Sequence, residues 1–220
     1  MKVELIGLTK PSGSTGVNSA DELVAYCARV SNPGNQNNQK TAPKLLKYLI
    51  KHEHWSPFEM VSVQMSITTT RDISRQIVRH RSFSFQEYSQ RYAEAPDEFT
   101  HREARLQDPE NRQNSIDTEK DSKVALRWRR LQEEVRMKTR AAYNEAIKLG
   151  IAKEQARALT PEGLTETTVI VSGTLRSWIH YCQLRMANGT QKEHAEVAQQ
   201  CWNIIEGHFP SVALAFKESS

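Results

Sequence analysis

The side chains best suited to chemistry lie in one short segment, residues 79–92, which reads RHRSFSFQEYSQRY. Between residues 71 and 91 there are five arginines against two acidic residues. The rigid guanidinium group suits bidentate recognition of a phosphate or a carbonyl group. Three serines add hydroxyl donors, and Phe83, Phe85 and Tyr88 offer ring faces for stacking. This combination indicates a binding site for an anionic, planar ligand such as a phosphate-bearing heterocycle.

An alternative is that these arginines form a solvated face or pair with carboxylates elsewhere in the fold. A purely solvated face does not usually interleave three aromatic residues and three serines with its charges. A second alternative is a nucleic-acid-binding module, since the sequence pI is about 9.0 and residues 120–140 are rich in lysine and arginine.

The pattern RHR-x-x-S-x-x-x-x-S-x-R in this segment resembles the signature of the flavin-dependent thymidylate synthases, the ThyX type. The resemblance covers nearly the whole chain except about residues 95–120. It extends to the stretches CARVSN, HEHWSPFEM, RDISRQIVRHR, KEQARALTPEG and NGTQKEH. This chain departs from the commonest family pattern at Gln86 and His180, where the family often has Asn.

The resemblance implies the reductive methylation of dUMP to dTMP. In this reaction 5,10-methylenetetrahydrofolate donates the carbon, FAD is the redox cofactor and NADPH is the reductant. It also implies a homotetramer that binds dUMP and folate in active sites between subunits. A related enzyme activity, flavin-dependent hydroxymethylation of a pyrimidine, uses the same nucleotide-binding residues and stays open. We expect no nucleic-acid partner, no membrane partner and no metal.

Family roles transfer to this sequence by position in the matching motifs. The implied nucleotide-binding residues are Gln76, Arg79, Glu87, Ser89, Gln90, Arg91, Arg157 and Arg185. The implied flavin-binding residues are Ser31, His54, Ser56, Glu59, Arg79, His80, Arg81, Glu87, Arg176 and His180.

Arg185 is the expected catalytic residue, because a guanidinium group can donate to a uracil carbonyl and stabilise negative charge on the ring. No covalent protein nucleophile is expected. The three cysteines, Cys27, Cys182 and Cys201, all lack the Pro-Cys-His context that the unrelated thymidylate synthase fold uses.

Helix geometry separates three of these residues into two groups. At about 100° per residue, Arg176 and His180 lie about 40° apart, whereas Arg185 lies about 180° from Arg176. One helix can therefore serve two ligands or two subunits.

The hydrophobic pattern predicts the elements that position these side chains. Alternation of apolar and polar residues predicts strands at the N terminus, over residues 61–68 and over residues 165–172. Helical spacing predicts helices after Ser19, from Thr41, over 71–80, from Ser122 to Leu149, from Thr174 to Met186 and after Thr190. The pairs Ser19 with Glu22 and Thr190 with Glu193 match capping boxes.

Interleaved strands and helices, together with the resemblance, indicate an α+β fold. We expect a single domain over residues 1–220, with a mainly antiparallel sheet flanked by helices. Residues from about 95 to 120 are polar and contain two prolines, which is typical of a variable insertion outside the core.

Composition excludes several classes of protein. The 220 residues carry a formal charge of +4, and no run of about 18 apolar residues or apolar leader is present. We therefore expect a cytoplasmic protein. Three widely spaced cysteines argue against a disulfide framework and structural zinc, and we expect reduced, buried thiols. A His-x-His pair at residues 52 and 54 is weak evidence for a metal, and the sequence has neither a dinucleotide-binding G-x-G-x-x-G motif nor a P-loop.

Overall fold

The central sheet is antiparallel and follows the alternation in the sequence. The computed structural model describes residues 1–96 and 99–218. The strands of this sheet are β1 (Lys2–Leu8), β2 (Ser62–Thr70), β3 (Phe83–Glu87) and β6 (Glu166–Thr174), in the order β1-β2-β6-β3. Val63, Met65 and Ile67 of β2 are buried, while the residues between them are half-buried and polar. One face of the sheet therefore belongs to the core.

Over the residues described, eight helices complete the predicted α+β fold, and six of them pack against the core on that buried face. The eight are α1 (Ala20–Ala28), α2 (Ala42–Lys51), α3 (Arg71–Ile77), α4 (Lys123–Lys148), α5 (Lys153–Ala156), α6 (Leu175–Arg185), α7 (Lys192–His208) and α8 (Pro210–Lys217). The hydrophobic core draws side chains from β2, β6, α1, α2, α3, α6, α7 and α8. A short 3-10 helix, Ser56–Met60, buries Phe58 in the same core.

Most helix ends lie where the local signals predict them. Ser19, Ser122 and Thr174 each accept a backbone N–H bond at the start of α1, α4 and α6. Gly150 adopts a φ of 80° just beyond α4, a left-handed conformation that glycine tolerates without strain. These boundaries were set by residues within a few positions of each helix end.

Predictions at the start of α7 and at the end of α3 were wrong. Gln191, not Thr190, is the N-cap residue of α7, and its side chain does not cap the helix. The carboxylate of Glu193 instead binds Arg105, a residue far away in the sequence. Helix α3 ends at Ile77, so Arg79 lies beyond it in the turn that leads to β3.

The sequence pattern also missed the strand β3, which forms the middle of the arginine-rich segment. Phe83 of β3 lies opposite Gly173 of β6, where a Cβ atom would lie 2.3 Å from the Phe83 ring. Because Gly173 leaves this space, the ring of Phe83 packs 4.7 Å from that of Trp178. Phe83 therefore belongs to the packing of the fold, whereas Tyr88 is exposed.

The segment predicted as an insertion folds beside the core. Strands β4 (Arg105–Gln107) and β5 (Ser115–Asp117) form a separate two-stranded sheet, and residues 97 and 98 lie outside the described residues. The hydrophobic core includes no residue of 99–118.

Along α4, Val124 and Val135 of the apolar stripe are 51% and 44% exposed, so this stripe is not covered within the chain.

The three cysteines are reduced, as expected. Cys182 and Cys201 are buried, whereas Cys27 is half-buried, so the expectation of a buried thiol was wrong for Cys27. No helix in the described parts of the chain has the length and apolar character needed to cross a lipid bilayer.

Candidate active site

An arginine-lined cleft of about 470 Å³ lies between α3, α5 and the segment after β3. Three guanidinium groups, those of Arg71, Arg75 and Arg157, face it together with the carboxylates of Glu154 and Glu162. Arg71 and Arg75 lie 3.5 and 3.9 Å from Glu162. The arginine cluster is thus partly paired within the protein, as the alternative interpretation predicts, yet it borders an open cavity.

Arg157 is the guanidinium of this cleft that has no carboxylate partner among residues 1–96 and 99–218. Its Nε donates to the backbone oxygen of Glu154 over 3.2 Å. Arg91 approaches the same region, and its Nε lies 3.3 Å from Oε2 of Glu154. The backbone N–H of Arg91 also donates to the Ser89 hydroxyl. Three of the residues implied to bind the nucleotide therefore lie around one end of the cleft.

Gln90 lines the cleft and is 2% exposed. Its side-chain Nε2 is buried without a hydrogen-bond acceptor in the described part of the chain. Leaving a buried donor unpaired costs about 1–3 kcal/mol, and such groups are rare in folded proteins. An acceptor oxygen from a ligand in the cleft would satisfy this donor.

Glu87, at the end of β3, organises the side of the cleft next to α3. Its carboxylate accepts from the Ser74 hydroxyl over 2.9 Å, from the Thr167 hydroxyl over 3.2 Å and from Arg75 over 3.0 Å. These bonds hold Arg75 at the cleft. The structure therefore gives Glu87 a clear role in orienting a neighbouring arginine.

A second cluster forms where the end of α6 meets the turn after α3. The Nε of Arg185 donates to Nε2 of His80 over 2.9 Å, and the His80 ring lies edge-on to Tyr181 at 5.0 Å. Burial, and then the charge of Arg185, lowers the pKa of His80. Arg185 has no carboxylate within ion-pairing distance among the residues described, so its positive charge is available to a ligand.

Gln76 joins this cluster through a buried histidine. Its Oε1 lies 3.1 Å from Nδ1 of His194, whose Nε2 lies 3.1 Å from the Tyr181 hydroxyl. The sequence motifs did not single out His194 or Tyr181. His194 precedes the buried Val197 by three residues on α7, and this spacing was the available signal for its inward position.

Three of the implied flavin-binding residues, Arg176, Glu59 and His180, lie toward the other end of α6. Arg176 makes a short ion pair with Glu59, and the ring of His180 lies 4.6 Å from that of Trp55. Burial, and then the charge of Arg176, lowers the pKa of His180. The structure thus confirms that Arg176 and Arg185 lie on different sides of α6.

Most of the remaining implied flavin residues are exposed on the single chain. His54 is exposed and its ring lies 6.0 Å from that of Tyr48. Arg79 and Arg81 flank His80 in the turn before β3, and no described carboxylate pairs with either side chain. Ser31 and Ser56 are also exposed. Together these side chains present unpaired cations and hydroxyl groups at the surface.

A larger cavity of about 1030 Å³ lies between the β4–β5 hairpin, α4 and residues 187–192. It contains none of the site residues implied by the family motifs, and its charged walls are largely paired, as in the bond of Lys192 to Asp117. The described residues also hold no group of three or more His, Cys, Asp or Glu side chains arranged for a metal ion. The arginine cleft and the Arg185 cluster are therefore the stronger candidates for the active site.

Comparison with known proteins identifies the family. A family model described as "Thymidylate synthase complementing protein" matches residues 15–211. A "Probable flavin-dependent thymidylate synthase" of Paramecium bursaria Chlorella virus 1 is 49% identical over 215 residues, which cover 98% of each protein. The flavin-dependent thymidylate synthase of Synechocystis sp. is 47% identical over 219 residues, covering 99% of this chain and 100% of that protein.

A solved structure agrees with the fold. The crystal structure of a UMP/dUMP methylase from Streptomyces cacaoi, bound with 5-Br dUMP, has a TM-score of 0.84 to this chain at 25% identity, covering 99% of this chain and 94% of that one. A match over residues 15–211, relatives of nearly equal length and a shared fold all agree with the motifs around the arginine cleft. The chain belongs to the family of flavin-dependent thymidylate synthases.

Proposed function

We propose that this enzyme methylates dUMP to dTMP, with 5,10-methylenetetrahydrofolate as carbon donor, FAD as redox cofactor and NADPH as reductant. The observation that carries the proposal is a cleft lined by Arg157, whose guanidinium has no carboxylate partner among the described residues, and by Gln90, whose buried Nε2 has no acceptor among them. Both groups are donors, as a phosphate ligand requires. The names of the relatives and the 5-Br dUMP bound to the Streptomyces cacaoi methylase support the same substrate class.

In this proposal the cleft holds the phosphate of dUMP. Arg157 and Arg91 supply charged donors, and the Ser89 hydroxyl and the Gln90 amide complete the set. Arg91 exchanges its contact with Glu154 for the phosphate, which carries more charge than a carboxylate. Charge-assisted bonds of this kind are about twice as strong as neutral ones.

The base of the nucleotide then lies toward Gln76 and Arg185. Carbon 5 of uracil is a weak nucleophile, so the ring must gain electron density before it accepts a carbon. The Arg185 guanidinium donates to a uracil carbonyl and stabilises the negative charge that develops there. It is suited to this role because it is half-buried and its side-chain partner His80 is a neutral imidazole rather than a carboxylate.

The residues present fit a flavin. Arg79 and Arg81 are exposed cations without described carboxylate partners, as a diphosphate group requires, and His80 lies between them. His54, Ser56, Glu59, Arg176, His180, Ser31 and Glu87 are the further residues we assign to flavin binding. When bound, FAD supplies the reducing equivalents for the transferred carbon, and NADPH restores them. The chain itself orients the reactants and excludes water.

We further propose that residues 1–220 form one catalytic domain and that four copies assemble, with each active site between subunits. Two features support a partner. Exposed flavin-binding residues such as Arg79 and Arg81 are left open by a single chain, and apolar residues along α4 are uncovered. Sedimentation of the purified enzyme with and without FAD tests the assembly.

The decisive experiment incubates the purified enzyme with FAD, NADPH, dUMP and labelled methylenetetrahydrofolate. We expect a yellow protein and labelled dTMP, identified by mass. Labelled hydroxymethyl-dUMP would replace the proposed reaction by hydroxymethylation of the same nucleotide. A colourless protein that binds oligonucleotides with steep salt dependence, and dUMP not at all, would overturn the proposal in favour of a nucleic-acid-binding module.

A further inference from the structure

A continuous hydrogen-bond chain connects Gln76 to the segment around β4. Arg105 donates to both oxygens of the Glu193 carboxylate, over 2.6 and 2.8 Å. Gln191 Nε2 donates to the same carboxylate over 3.0 Å, and Gln76 Nε2 donates to Gln191 Oε1 over 2.8 Å. Gln76 lies 115 positions from Gln191 in the sequence. The chain then continues from Gln76 to His194 and Tyr181.

The direction of every bond in this chain follows from Glu193. An ionised carboxylate can only accept, so the amide nitrogen of Gln191 must face it and the amide oxygen of Gln191 must face Gln76. Gln76 therefore donates to Gln191, and its own oxygen accepts from Nδ1–H of His194. Nε2 of His194 is then left to accept from the Tyr181 hydroxyl.

Glu193, at one end of this hydrogen-bond chain, is ionised at neutral pH. Burial by itself would raise the pKa of Glu193, but hydrogen bonds from Arg105 and the charge of Arg102 outweigh it and lower the pKa to about 2. Burial, followed by the charge of Arg185, lowers the pKa of His194 to about 3. At neutral pH this hydrogen-bond chain therefore begins at an ionised carboxylate and contains a neutral histidine. Every hydrogen bond in it then has one defined donor and one defined acceptor.

We propose that Gln191 and Glu193 are positioning residues that hold the Gln76 amide in one orientation and thereby make the enzyme prefer uracil over cytosine. This inference rests on the proposed function, in which Gln76 contacts the base. After its two bonds within the chain, Gln76 keeps one free N–H and one free lone pair in fixed places.

Uracil and cytosine differ at positions 3 and 4 in the way that a fixed amide can detect. Uracil presents an N–H at position 3 and a carbonyl at position 4, whereas cytosine presents an acceptor nitrogen and an amino group. An amide that can rotate by 180° serves either pattern, but an amide held in one orientation serves one of them. With cytosine in place of uracil, a donor would face a donor and an acceptor would face an acceptor.

The test compares binding of dUMP and dCMP to the FAD-loaded enzyme by calorimetry. In Gln191→Leu we expect the ratio of dUMP to dCMP affinity to fall about tenfold, because one hydrogen bond of discrimination is lost. Gln199→Leu is the matched control, since Gln199 is exposed on the same helix, and its ratio should equal that of the wild type. An unchanged ratio in Gln191→Leu, or an equal loss for both nucleotides, would overturn the inference.

A double variant separates orientation from simple packing. Gln191→Glu combined with Glu193→Gln keeps one carboxylate in the chain and still presents an acceptor to Gln76 Nε2. We expect it to retain the preference for dUMP, which a role in packing alone would not predict. Loss of preference in a folded double variant would count against the inference. If Gln191→Leu does not fold, Glu193→Gln alone replaces it, with a reduced preference expected because an amide at 193 no longer dictates the orientation of Gln191.

A spectroscopic measurement tests the polarity without substrate. Long-range ¹H–¹⁵N NMR should show His194 protonated at Nδ1, with the signal assigned by its loss in His194→Gln. Protonation at Nε2 would reverse the chain and overturn the inference. Failure of the proposed function can be told apart from failure of this inference. A wild-type enzyme that binds neither dUMP nor dCMP would refute nucleotide binding, while the His194 tautomer could still be as predicted.

Discussion

The guanidinium of Arg185 donates to Nε2 of His80 across 2.9 Å, so a cation is held by a neutral imidazole instead of a carboxylate. An arginine can only donate, and His80 must therefore accept at Nε2 and carry its proton on Nδ1. Burial and the nearby guanidinium charge both lower the pKa of His80, which keeps the ring neutral at pH 7. The positive charge of Arg185 is thereby positioned without being neutralised.

Replacing Arg185 by Ala should nearly abolish dTMP formation, by about 10²–10³-fold, because stabilisation of developing negative charge is lost. The flavin should remain bound, since Arg185 is not among the residues assigned to flavin binding and the ion pair of Arg176 with Glu59 stays intact. Single-turnover assays and the flavin absorbance per protein measure the two effects. The pKa of His80, followed by NMR, should rise in this variant as the neighbouring charge disappears. Wild-type turnover in Arg185→Ala would refute the catalytic assignment.

Arg157 should contribute to binding of the phosphate and not of the base. Arg157→Ala is expected to weaken dUMP binding by about 10–100-fold, as loss of a charge-assisted bond predicts, while binding of deoxyuridine stays unchanged. Calorimetry with both ligands measures the difference. Arg130→Ala removes the same charge from an exposed position on α4 and serves as the control. Equal weakening for nucleotide and nucleoside would place the phosphate elsewhere.

Replacing Gln90 by Leu should stabilise the free enzyme and weaken dUMP binding. Its buried, unpaired amide nitrogen destabilises the free enzyme, so Gln90→Leu should raise the free energy of unfolding by about 1 kcal/mol. The same variant should bind dUMP about tenfold more weakly, because a residue that lines the cleft loses its hydrogen-bond donor. Urea denaturation without ligand and calorimetry with dUMP provide the two measurements. A less stable variant with unchanged dUMP affinity would show that Gln90 serves the fold alone.

His194 should make stability depend on pH. Its pKa is 6.5 in an unfolded chain but about 3 in the folded protein, so between these values the unfolded state binds the extra proton. The free energy of unfolding should therefore fall as pH falls from 6.5 toward 3, by at most about 1.4 kcal/mol per pH unit for one group. His194→Gln should show a smaller fall in urea titrations at pH 7 and pH 4.5. An identical slope in both proteins would mean that His194 is not held neutral.

The sequence could select candidate site residues, but not their arrangement. The arginine-rich segment and the family motifs selected Arg91, Arg157 and Arg185, which the structure places at the cleft and at the end of α6. The same reasoning offered Phe83 as a stacking surface, although its ring packs against Trp178. Side-chain type reveals what a residue can bind, whereas its direction depends on the strand that carries it.

The amino-acid pattern by itself determined several of the local elements of this protein. Alternation specified β2, and Ser122 with Gly150 delimited α4, because a period-two pattern or a cap acts within a few residues. Tertiary structure alone decided which polar groups meet. The hydrogen bond between Gln76 and Gln191 spans 115 residues, and Glu193 accepts from Arg105 instead of forming the predicted capping box. Such distant pairs form because the polar groups are buried. Leaving a buried polar group unpaired destabilises the fold more than losing a helix cap does.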